Sequence, residues 1–107
     1  MNIIITTMIT KIEEADGVMT VYLEGRMDSS VSNETEESLK PVFETESKEV
    51  IIDCTKLNYI ASSGLRLFLT VLIDTQPQGK RISVKGMKKE LRDMFEMTGF
   101  SNLFVFI

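Results

Sequence analysis

Ser62 and Ser63 are the residues whose type and setting best suit a chemical event. They follow the apolar run Val50-Ile51-Ile52 and the segment from Asp53 to Ala61, and they open a second apolar run that reaches Ile73. This pattern reads as the end of a buried strand, a short loop, then a helix that starts at the serines. The first N–H groups of a helix lack intrahelical partners, so such a place takes a serine cap or an anion, a phosphate included. A serine exposed there suits switching by phosphorylation, which needs no catalytic machinery in the chain itself. Plain helix capping is the competing reading.

Other chemistry is narrowed by what the chain lacks. There is no histidine and a single cysteine. That removes Ser-His-Asp and Cys-His constellations and ordinary zinc sites. Neither a Gly-Lys-Ser/Thr phosphate loop nor a Gly-x-Gly-x-x-Gly turn occurs, and Ser62-Ser63-Gly64 lacks the Gly-x-Ser-x-Gly spacing of a hydrolase elbow. The expectation is a protein that is not an enzyme and holds no cofactor or metal.

The charge balance, 16 acidic against 12 basic residues, argues against nucleic acid as a partner, which requires a concentrated basic surface. Lys80, Arg81, Lys85, Lys88 and Lys89 are spread over a strand and a helix start and read as a solvated face. Cys54 reads as a small core residue. No stretch approaches transmembrane length and Ile3 to Ile5 has no basic flank, so membrane insertion is not expected and a reducing cytoplasm is the expected location. No Pro-, Gly- or Ser-rich linker divides the 107 residues, which predicts one domain over 1–107.

The elements that must position the serines follow from periodicity and turn residues. Residues 3–13 and 18–24, linked by Ala15-Asp16-Gly17, predict a hairpin, after which Gly25-Arg26-Met27-Asp28 leaves the sheet. Val31, Thr35, Leu39, Val42 and Phe43 predict a first helix over about 30–45, with Ser29, Ser30 or Ser32 as its cap and Pro41 as a kink or shifted start. Val50 to Cys54 is the buried strand, 63–75 the second helix, and Gln76-Pro77-Gln78-Gly79 its stop. Arg81 to Lys85 is a further strand. Met87, Leu91, Met94 and Phe95 face one way on a third helix capped by Gly99, and Met87, Met94 and Met97 read as core fillers. Leu103 to Ile107 is the last strand. The order β-β-α-β-α-β-α-β implies an α/β domain with a mixed sheet, its later strands parallel and joined by helices.

This order, with these residues on it, resembles the STAS-domain family, and within it the small bacterial anti-sigma factor antagonists. The likeness is carried by Leu23-Glu24-Gly25-Arg26-Met27-Asp28, by Ile52-Asp53-Cys54 through Tyr59-Ile60-Ala61-Ser62-Ser63-Gly64-Leu65-Arg66, and by Met94-Phe95-Glu96-Met97-Thr98-Gly99-Phe100. The resemblance implies a STAS-like fold and a partner, an anti-sigma factor of the serine-kinase type. That partner is bound while Ser62 is unphosphorylated and released on its phosphorylation; a phosphatase restores binding. It further implies that Asp28 and Ser62 meet the partner; Gly64 and Arg66 are candidate contacts beside them, with a solvated helix residue as the favoured reading of Arg66. Ala61 stands where the family signature carries an acidic residue, and the sequence ends at Ile107, where many relatives continue into another helix. A transport or lipid-trafficking subunit that is not phosphorylated is the alternative within this fold. A small-ligand or nucleotide-binding domain is a third reading, with only the Ser62 helix start behind it. Oligomeric state is left open.

Helical spacing separates the two serines. Steps of four from Ser62 reach Arg66, Thr70 and Asp74, a polar stripe expected to face outward; from Ser63 they reach Leu67 and Val71, expected to face the sheet. Leu65, Phe68, Leu69, Leu72 and Ile73 are expected to bury the rest of the helix. Ser62 is therefore the expected acceptor, with Arg66 one turn on, and Ser63 is expected to point inward or cap. Asp28 remains either a helix-capping loop carboxylate or a partner contact.

Overall fold

The computed structural model describes residues 8–28, 32–99 and 105–107. The predicted hairpin forms from β1 (Met8–Ala15) and β2 (Val18–Met27), which pair antiparallel from Met8↔Gly25 to Ala15↔Val18. Its turn is Asp16-Gly17, with φ of 55° and 78°. Two consecutive positive φ values match the twist of a tight hairpin, which is why Gly and Asp occupy it. Expected strand residues 3–7 lie outside the described residues.

Pro41 divides the first helix into α1 (Ser32–Ser38) and α2 (Lys40–Glu44). Proline has no N–H to continue the ladder, so the chain re-starts at Leu39, whose amide bonds to Thr35 and whose carbonyl accepts from Val42. Leu39 and Val42 are both buried, so packing survives the break. Ser32 is helical rather than a cap, and Ser29, Ser30 and Val31 lie outside the described residues.

Three parallel strands complete the sheet: β3 (Glu49–Ile60), β4 (Arg81–Lys85) and β5 (Val105–Phe106), in the order β1-β2-β3-β4-β5. Between them run α3 (Ser62–Thr75), ended by a 3-10 turn at Gln76–Gln78 and Gly79 at φ 71°, and α4 (Lys89–Thr98), ended by Gly99 at φ 79°. Leu103 and Phe104 of the expected last strand lie outside the described residues. Met19, Val21, Leu23, Val50, Ile52, Cys54, Ile82 and Val84 are all buried, whereas their sequence neighbours on these strands are half-buried or exposed. The helices therefore cover one face of the sheet and leave the other bare. Phe68 of α3 meets Phe95 of α4 edge-on at 5.5 Å over the covered face.

Five expectations are corrected. Gly25 does not end β2; at φ 99° it sits at a register shift and the strand runs on to Met27. The short loop after Cys54 is instead strand as far as Ile60, with one extra residue between Tyr22↔Asp53 and Glu24↔Lys56 and another between Gly25↔Leu57 and Arg26↔Tyr59. These bulges hide the period of two, so the segment does not read as a strand. Met97 is 87% exposed and fills no core, although Met87 and Met94 do. Ile73, at 61%, faces solvent. Lys80 is buried, not part of a solvated face.

Candidate functional site

The long β3 carries the chain straight to the serines. Its last residue, Ile60, pairs with Met27, and the Ala61 amide donates to the Met27 carbonyl at 2.9 Å. Asp28, the next residue, thereby leaves the strand next to Ala61. Ala61 is the N-cap, extended at φ −83° and ψ 171°, and its carbonyl accepts from the Gly64 and Leu65 amides at 2.9 and 3.1 Å. No side chain caps the helix. Ser62 is already the first helical residue, one place too late to act as N-cap; the capping role weighed for these serines falls on a position where alanine has nothing to offer.

The serines differ as their spacing predicted. Ser62 is exposed. Ser63 is half-buried and its Oγ is fully buried with no hydrogen-bond partner. A hydroxyl in that state costs free energy, so Ser63 is an inward-turned polar group and not a cap. Arg66 is exposed and borders a cleft of about 260 Å³ between α1 and α3, lined also by Asn33, Glu36, Ser63, Leu67 and Thr70. It stands one turn from both serines, and its carbonyl accepts from Thr70 Oγ1 at 3.0 Å. Asp28 is half-buried, with an interaction of its own.

Gly64 lies beneath this surface, not on it. A Cβ there would stand 2.8 Å from Ile60 Cγ2 and 2.8 Å from Met27 Sδ. It shapes the site by letting α3 start close against the strand ends. The structure thus brings Asp28, Ser62 and Arg66 to one rim and puts Gly64 under it.

Sequence reasoning passed over one neighbouring pair. Arg26 and Tyr59 face each other across β2 and β3, with the guanidinium carbon 4.3 Å from the ring centroid. Only the second bulge makes them partners, and no local pattern announces it. Cys54, five residues earlier on β3 and buried under the helices, has its thiol pushed up to about 12, chiefly by burial, so it is not a thiolate nucleophile. Among the described residues no cluster of Cys, Asp or Glu converges as a metal site requires, and no helix is long and apolar enough to cross a membrane.

Comparison with known proteins places this geometry in a family. The STAS domain model matches residues 10–107. BtrV of Bordetella bronchiseptica, assigned as an anti-sigma factor antagonist, is 30% identical over 93 residues, covering 86% of this chain and 79% of its own. An anti-sigma factor antagonist from Mycobacterium paratuberculosis superposes with a TM-score of 0.82 at 20% identity, over 92% of this chain and 84% of that one. SpoIIAA matches in its unphosphorylated form (TM-score 0.77; 16% identity; 92% and 88% covered) and, from Bacillus, in its phosphorylated form (0.72; 16%; 92% and 91%). A sulfate transporter family protein from Wolinella succinogenes shares the architecture too, at a TM-score of 0.70 and 20% identity over 84% and 76%. The structural likenesses show the fold; with the family model and BtrV, they establish that this chain belongs to the STAS-domain family.

Proposed function

We propose that this protein is an anti-sigma factor antagonist that acts by binding, not by turnover. In its unphosphorylated state it holds an anti-sigma factor of the serine-kinase type in the cytoplasm and so promotes transcription by the released sigma factor. Phosphorylation of Ser62 ends the association, and a phosphatase restores it. One observation carries the reading: Ser62 is exposed at an uncapped helix start, on one rim with Asp28 and Arg66. What supports it further is that the 30% identical relative bears the name of an anti-sigma factor antagonist, and that SpoIIAA, an antagonist of the same fold, exists in unphosphorylated and phosphorylated forms.

The switch follows from electrostatics. Phosphoserine adds about −1.5 to −2 charges, which the helix dipole and free first-turn amides accommodate. The fold tolerates the group, and the cost falls on the interface through repulsion and desolvation.

The test uses a purified anti-sigma factor of the serine-kinase type from the source organism, mixed with this chain. With ADP a stable complex is expected on size-exclusion chromatography; with ATP, phosphopeptide mapping should find Ser62 modified, lost in Ser62→Ala and kept in Ser63→Ala. Ser62→Asp should abolish the complex without lowering Tm. Asp28→Ala should weaken binding while the fold holds. Unfolding of Ser62→Asp, or full binding by it, sinks the mechanism. The second reading, a subunit of a transport or lipid-trafficking complex without phosphorylation, draws on the fold shared with the Wolinella protein. It predicts recovery of permease components and no phosphoserine.

A further inference from the structure

The rim that carries Ser62 has a cationic edge on its far side. Arg26 and Tyr59 are exposed on the bare face of the sheet, at the last pairing before Met27↔Ile60. Gly25, at φ 99°, and the extra residue Asn58 turn the strands so that the two side chains meet there. The ring holds the guanidinium by its face. A guanidinium held over a ring face keeps N–H groups available for the fork that matches a carboxylate.

Among the described residues, the ion pairs formed on this face leave that fork open. Glu24, two residues before Arg26 on the same strand face, is taken by Lys11 at 3.8 Å and Lys56 at 3.4 Å. Among the described residues no acidic side chain forms an ion pair with Arg26. Ala61, with no charge, adds no competing carboxylate. Ser62 lies three residues beyond Tyr59, a span of about 10 Å at most. A partner covering ~800 Å² of this rim would therefore touch Arg26 as well.

We propose that Arg26, held on Tyr59, is a specificity-determining contact that takes an Asp or Glu side chain of the protein docking at Ser62. This rests on the function proposed above and names the chemistry of its partner. Stacking restricts the guanidinium to one orientation before binding, so less entropy is lost when the carboxylate arrives. The partner's acidic group also sits where a phosphate on Ser62 would repel it, which couples this contact to the switch.

The experiment measures the Kd of the purified anti-sigma serine kinase, with ADP, for wild type, Ser62→Asp, Arg26→Ala, Arg26→Lys, Arg26→Glu and Tyr59→Leu, with Tm for each. Arg26→Ala should weaken binding about tenfold and Arg26→Glu about a hundredfold, with Tm unchanged for these exposed positions. Arg26→Lys and Tyr59→Leu should each lose several-fold, because a point charge or an unstacked fork does not replace the pair. An acidic-to-lysine change on the kinase should restore binding to Arg26→Glu. If Arg26→Glu binds like wild type while Ser62→Asp does not, this inference falls and the proposed function stands. Arg26→Lys equal to wild type also overturns it. A wild-type chain that ignores the kinase overturns both.

Discussion

The two ends of the sheet treat their polar groups in opposite ways. At the end where β3 and β4 begin, each cation and hydroxyl named here has a partner. Buried Lys80 donates from Nζ to the Val42 and Phe43 carbonyls at 2.8 and 3.1 Å, closing the C-terminal turn of α2. Lys48 Nζ reaches the Gln78 carbonyl at 2.9 Å, and Gln78 Nε2 reaches Phe43 at 3.2 Å. Glu14 accepts from Ser47 Oγ at 2.6 Å and from Thr45 Oγ1. At the other end, α3 starts without a side-chain cap, Ser63 Oγ has no partner, and Arg26 is held by a ring instead of a carboxylate. Satisfied networks hold a fold together, and open groups are left where something else is to bind. On the function proposed above, the contrast separates the end that stabilises this domain from the end that binds its partner.

The largest change should come from the floor of the open end. Gly64→Val should cost about 3 kcal/mol in urea unfolding, because β-branched Ile60 cannot yield as Met27 can, and the new side chain overpacks the helix against the strand. Lys80→Met should cost about 2 kcal/mol by removing the Lys80 bond to the Val42 carbonyl and leaving the Phe43 carbonyl only its Gln78 bond, with kinase binding unchanged. Equal stability of this variant would show that the closed end is not the stabilising one. Ser63→Ala should move the other way, raising stability by about 1 kcal/mol, since it removes a buried hydroxyl that has no partner. A loss instead would mean that Ser63 is part of a satisfied network and that the two ends are alike.

The smallest effect is a pH slope. The hydrogen bonds from Ser47, then Thr45, hold the Glu14 carboxyl below its ordinary 4.5. A depressed folded pKa contributes stability that is present above the unfolded value and lost as pH falls through the folded one. Thermal unfolding followed from about pH 5 to about pH 3 should show a shallower decline for Glu14→Gln than for wild type. Parallel declines would remove Glu14 from the closed network.

Much of this fold was legible in the chain. Arg81–Lys85 has the bounds its alternation predicted, and Gly99 adopts the left-handed conformation that ends a helix. The outward Ser62 and inward Ser63 followed from helical phase alone. The misses have causes that lie beyond local spacing. Residues 55–60 hide a strand because two bulges break its alternation, and Met97 and Ile73 obey helical spacing yet have no neighbouring layer to cover them.

Periodicity and turn residues determined the element order and the serine at the helix start, because each is set by backbone geometry within a few residues, and the mixed sheet followed from that order. Which polar groups found partners was decided only in three dimensions. Lys80 meets carbonyls 37 and 38 residues earlier in the chain, and Tyr59 meets Arg26 only after a register shift. Sequence spacing specifies which side of an element a residue takes; cross-strand register and the packing of distant layers decide what it finds there.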